Sequence, residues 1–80
     1  MQYIINQLKF TSMKTLELLL KKLNDYPITQ NERPIWVISS DKNTLFYYRM
    51  WYHKNPELSL SIEDAMTCKT TSELQEKMGV

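Results

Sequence analysis

Glycine is nearly missing from this 80-residue chain, and the single one, Gly79, is the penultimate residue. A glycine-built phosphate loop is therefore absent, and nucleotide hydrolysis through such a loop is excluded. The three prolines Pro27, Pro34 and Pro56 are well separated, so no flexible linker, low-complexity block or repeat interrupts the chain. Cysteine is equally scarce. Cys68 stands alone, cannot form an intramolecular disulfide, and leaves the fold to be held by packing, as is usual in a reducing cytoplasm. One Cys and one His, His53, are too few to build a structural zinc site. They are also the one conceivable nucleophile and base, but nothing nearby in sequence supplies an orienting third group or an oxyanion donor. Cys68 is expected to be a small buried apolar residue and His53 a solvated one.

Long hydrophobic runs are lacking too. The longest aliphatic run, Leu18 to Leu20, stops at Lys21 and Lys22, and the first charge is Lys9. Neither a membrane span nor a signal peptide is expected, and a cytoplasmic location follows as the expectation. A charge excess of one sign is also missing: ten Lys plus Arg against nine Asp plus Glu give +1. Nucleic-acid affinity comes mostly from phosphate neutralisation, so this balance favours a protein partner. The adjacent carboxylates Glu63 and Asp64 point about 100° apart on a helix and suit dipole compensation better than acid/base catalysis. No enzymatic activity, cofactor or metal is expected.

What is present suits one small domain over residues 1–80, with 42% hydrophobic and 11% aromatic residues. The run from Gln2 to about Leu8, with Tyr3, Ile4 and Ile5, reads as a strand. Thr11 and Ser12 then offer N-caps to an amphipathic helix over about 12–25, with Met13, Leu16, Leu19, Leu20 and Leu23 on one stripe. That leucine stripe spans under two heptads, which favours core burial over a zipper. Pro34 to Ile38 reads as a buried strand, Ser40 to Thr44 as a three-residue hairpin loop with Asn43 left-handed, and Leu45 to His53 as the returning strand. This register places Ile38 opposite Phe46 and Trp36 opposite Tyr48, so that Trp36, Ile38, Phe46, Tyr48, Met50 and Tyr52 share the face turned to the first helix. A competing reading has Ser40 capping a helix over 41–54. Ser61 to Asp64 is a capping box for a single helical turn, Met66 to Lys69 a short strand, and Thr70 to Glu73 a second capping box for a helix ending at Met78 before Gly79. The expected class is α+β: a small antiparallel sheet of three to four strands on an amphipathic N-terminal helix, with a short C-terminal helix. A hairpin followed by an Asp-Ala turn, a brief strand and a capped terminal helix is similar to many small phage and bacterial α+β modules. That resemblance implies a fold and no activity.

One constellation can carry a function. Tyr47, Arg49, Trp51 and His53 alternate along the returning strand, which puts a phenol, a guanidinium, an indole and an imidazole on one face. Such a face can meet a protein, since Tyr, Trp and Arg dominate interface hot spots, or stack unpaired bases. The alternative is structural, with Tyr47 and Trp51 packed beneath the terminal helix under Leu74 or Met78. The single Gly and Ala, the excess of Lys over Arg and the plentiful Asn and Ile are typical of AT-rich genes. This usage resembles that of small phage and mobile-element proteins. The expectation is a non-enzymatic factor that binds and inhibits or redirects a host protein, with single-stranded nucleic-acid binding as the alternative.

Overall fold

The computed structural model describes residues 12–27 and 29–80. The strand expected over Gln2 to Leu8 lies outside the described residues. Helix α1 (Met13–Leu23) leads into a sheet of β1 (Ile35–Ile38), β2 (Thr44–Tyr48) and β3 (Leu58–Ser61), followed by α2 (Ile62–Ala65) and α3 (Thr71–Met78). The sheet is antiparallel in the order β1-β2-β3, and the helices pack on one of its faces. The α+β class is as expected.

Local chemistry sets the helix ends. The Ser12 hydroxyl accepts from Thr15 N at 3.1 Å, and Lys21 and Lys22 occupy the last turn, where positive charge suits the dipole. Ser61 and Thr70 likewise accept from Asp64 N and Glu73 N at the starts of α2 and α3. At the end of α3, Gly79 is left-handed with φ 96°, and Val80 N and Gly79 N donate to Gln75 O and Glu76 O, closing a Schellman motif. The core gathers Leu16, Leu19 and Leu20 of α1, Trp36 and Leu45 of the sheet, Ile62 and Ala65 of α2, Cys68, and Leu74 and Met78 of α3. The leucine stripe is thus core.

The hairpin forms, which excludes a helix over 41–54, but its register differs by one residue from the expected one. Trp36 pairs with Tyr47 and Ile38 with Leu45, because the loop holds four residues instead of three. The Asp41 carboxylate decides this. Its Oδ1 accepts from the Ser39 hydroxyl at 2.5 Å and from Asn43 N at 3.0 Å, while Ser39 N donates to Thr44 O at 2.8 Å. A one-residue slip exchanges the faces of a strand. Trp36, Ile38, Leu45, Tyr47, Leu58 and Leu60 therefore share the face under the helices, and Phe46 and Tyr48 turn outward with Ile35 and Val37. The expected even-numbered face does not exist.

Lys42, not Asn43, takes the left-handed backbone, with φ 62°. Lys42→Gly is expected to be neutral or stabilising, whereas Lys42→Val should cost about 1 to 2 kcal/mol through a β-branched residue at positive φ. Thermal melts compare the two, and equal melting temperatures would contradict the turn geometry. The Ser39 hydroxyl, and after it the Asn43 N–H, hold the Asp41 carboxyl below its usual pKa. A carboxyl with a lowered folded pKa contributes stability above its unfolded pKa, and that contribution is lost as pH falls through the folded value. Asp41→Asn should accordingly flatten the acid limb of the stability–pH curve. An unchanged acid limb would remove Asp41 from the account.

Two further differences concern strand length. The returning strand ends at Tyr48 and does not reach His53. In this register Arg49 would face Pro34, which has no N–H to donate, so the ladder stops there. Residues 66–69 form a turn and an irregular stretch instead of a strand: Met66, Thr67 and Cys68 N donate to Ile62, Asp64 and Ala65 O and wind down the end of α2. The third strand is Leu58–Ser61, whose Leu-Ser-Leu-Ser alternation puts both leucines inward.

Candidate functional site: an aromatic and basic surface

The nine-residue connection from β2 to β3, residues 49–57, carries the most exposed aromatic chemistry among the described residues. Trp51 is 53% and Tyr52 54% exposed, and His53 follows them into solvent. Their rings meet edge to face, with centroids 5.5 Å apart for Trp51 and Tyr52 and 5.3 Å for Tyr52 and His53. Trp51 is nonetheless fixed. Its backbone N–H donates to Arg33 O and its Nε1 to Asn31 O, both at 2.9 Å, and the Arg33 guanidinium lies 6.0 Å from the ring centroid. The indole is thus tied to the segment entering β1, about 20 residues away in sequence, and keeps about half its surface in water.

The four residues expected to form one strand face are separated by this geometry. Tyr47 alone lies in β2, on the inner face, half-buried and edge-on to Trp36 with centroids 5.0 Å apart. Arg49 is exposed in the bend after the strand, and Trp51 and His53 lie in the following turn and loop. Tyr47 is a packing residue, while Arg49, Trp51 and His53 remain on the surface. Tyr52, expected on the core face, joins them.

A cleft of about 350 Å³ opens beside Trp51, lined by Asn24, Tyr26, Arg33, Pro34, Ile35 and Trp51. One wall is held by Asn24, the residue that ends α1. Its Nδ2 donates to Trp36 O and its Oδ1 accepts from Trp36 N, both at 2.9 Å. Ile35 connects the cleft to the outer face of the sheet, where Val37 is 38% exposed and Phe46 and Tyr48 meet edge to face at 6.4 Å. The surface therefore has two zones: an uncharged apolar sheet face, and an aromatic loop flanked by Arg33, Arg49 and Lys54. Residues 42–56 include Lys42, Arg49 and Lys54 and no carboxylate, a local bias that the balanced total charge conceals.

Sequence reasoning missed Tyr26 and Arg33, and no local signal marks them. They reach Trp51 only through the packing of the segment before β1. Val37, Phe46 and Tyr48 were visible as apolar residues, but the one-residue register difference assigned Phe46 and Tyr48 to the core.

Among the described residues no group of three or more His, Cys, Asp and Glu side chains can hold a metal ion, and no helix is long and apolar enough to cross a membrane. Cys68 is buried, and burial pushes its thiol pKa up, so little of it is thiolate near neutrality. It should react slowly with Ellman's reagent in the native protein and rapidly in urea. Equal rates would mean the α2–α3 junction opens readily. No protein-family model matches the chain, and neither a curated protein nor a solved structure shows significant similarity to it.

Proposed function

We propose that this chain is a non-enzymatic binding protein whose partner is another protein, engaged through Trp51, Tyr52 and the adjoining outer sheet face. The observation that carries this reading is the state of Trp51: half-exposed, yet fixed by two hydrogen bonds to the segment before β1. Exposed tryptophans held in one conformation make effective anchors, because binding orders little that was not already ordered. The outer-face residues Ile35, Val37, Phe46 and Tyr48 extend the surface without adding charge. The amino-acid usage favours a viral or mobile-element origin, in which the partner is a host protein that is occluded or redirected.

A partner captured from the source cell should be lost with Trp51→Ala and kept with Leu18→Ala, a substitution at an exposed position on α1. Capture that survives Trp51→Ala would refute the proposal. The run of cations without carboxylates over 42–56 favours a second reading, single-stranded nucleic-acid binding. Fluorescence of Trp36 and Trp51 separates the two. A mixed-sequence oligonucleotide should bind no tighter than about 100 μM at physiological salt, the weak end of nonspecific association. Micromolar quenching that added salt relieves, by about 0.7 log units per tenfold salt for each phosphate neutralised, would select the second reading.

A further inference from the structure

We infer that the cleft beside Trp51 is a binding site for an acidic peptide segment, which places one apolar side chain between the aromatic walls and a flanking carboxylate on Arg33. The inference rests on the protein-partner reading above and specifies the partner's chemistry. The cleft's volume, about 350 Å³, suits one large side chain with its backbone and is too small for a folded surface. Trp51, Tyr26, Pro34 and Ile35 supply most of its lining, an aromatic and apolar set that stays in place without a ligand because Trp51 is tied to Asn31 and Arg33.

Among the described residues, Arg33 is the one charged residue lining the cleft. Among the same residues, its guanidinium makes a single long hydrogen bond, from Nη1 to Gln30 O at 3.5 Å, and no ion pair. Its planar fork, placed near the indole, is the donor geometry that binds a carboxylate through two parallel bonds. Asp25 and Glu32, the carboxylates nearest in sequence to the lining residues, are exposed and do not line the cleft. In the connection that carries Trp51, Arg49 and Lys54 are exposed and outnumber the one carboxylate, Glu57 at its end. Charge complementarity thus selects an acidic segment, and the apolar walls select one with an aromatic anchor.

The test is a titration of the ¹⁵N-labelled full chain, read at the two indole N–H signals, with the Trp51 signal assigned through Trp51→Phe. The probes are acetyl-Asp-Glu-Phe-Asp-Glu-amide, the same peptide with Ala for Phe, one with Lys for every acid, and an octamer of deoxythymidine. The acidic Phe peptide should shift the Trp51 signal with a dissociation constant on the order of 1 mM, as expected for one anchored side chain. The buried Trp36 signal should stay in place and report the integrity of the fold. Loss of the Phe anchor or reversal of peptide charge should abolish the shift, and Arg33→Gln should weaken binding by about three- to tenfold. Arg33→Lys keeps the charge without the fork and should rescue only in part.

No shift at about 10 mM acidic peptide, or equal shifts with the lysine peptide, would overturn the inference. So would an oligonucleotide that acts at lower concentration than the peptide. Partner capture that needs Trp51 but tolerates Arg33→Gln, with a silent acidic peptide, would leave the protein-partner reading standing and remove this one.

Discussion

Leu45→Ala should lower stability by about 2 to 5 kcal/mol, with a value in the upper half of that range. Leu45 is fully buried at the centre of the sheet, paired with Ile38 on one side and Leu60 on the other. Sheet neighbours on both sides and helices above limit how far the site can collapse around a smaller residue, so most of the cavity persists. A domain of this size commands only a few kcal/mol in total, so the variant should be largely unfolded at room temperature. Leu18→Ala serves as the control, since Leu18 is 54% exposed on α1 and its removal should change stability by no more than about 0.5 kcal/mol. Urea melts followed by far-ultraviolet circular dichroism measure both. A cooperative Leu45→Ala transition with a urea midpoint close to that of the parent would mean that the sheet is not centred on Leu45.

The second large effect is expected at Asn24. Its carboxamide bonds both backbone groups of Trp36, and Asn24→Ala leaves that N–H and C=O without a protein partner beside a side chain only 4% exposed. The cost should be about 2 to 3 kcal/mol, reduced from two full desolvation penalties because water can enter the adjoining cleft. Asn24→Asp is more revealing. One carboxylate oxygen can still accept from Trp36 N, but the other would face Trp36 O, and this repulsion raises the folded pKa of the new carboxyl. A raised folded pKa gives stability below the unfolded pKa that is lost as pH rises through the folded value. The deficit of Asn24→Asp relative to the parent should therefore shrink on acidification, as thermal melts across pH would show. A deficit that stays constant would mean the bidentate pairing contributes little.

Signals confined to a few residues were legible in the sequence. The i, i+3, i+4 leucines located α1, and Ser12, Ser61, Thr70 and Gly79 marked helix ends by chemistry that acts within four residues. Alternation in the hairpin showed that two strands meet, but register depended on how the Asp41 side chain competes for Ser39 and Asn43. Loop length changes by one residue with that competition, and every facing relation changes with it. The end of β2 depended on a proline in the opposite strand, which becomes relevant only once the register is known. The third strand, Leu58–Ser61, was not anticipated and was looked for at Met66 to Lys69 instead, because its alternation offers only two apolar positions. At the candidate site, the sequence singled out Trp51 but left open whether it is exposed or packed beneath the terminal helix, and its neighbours Arg33 and Tyr26 reach it through tertiary packing. Tyr47 was misplaced for the same reason as the register.

Asn24 also bears on how chains of this protein behave towards one another. The free rim of an edge strand is a template on which a second chain can add its own strand, the first step of sheet-mediated aggregation. With a net charge of +1, little long-range repulsion keeps copies apart. Among the described residues, that rim on β1 is closed at its centre, where the Trp36 groups are occupied by Asn24, and Pro34, just before the strand, has no N–H to offer. An amide side chain thus fills the place of a neighbouring strand without being one. Strand addition across Trp36 is obstructed, which leaves the outer aromatic face as the sheet surface open to the proposed partner.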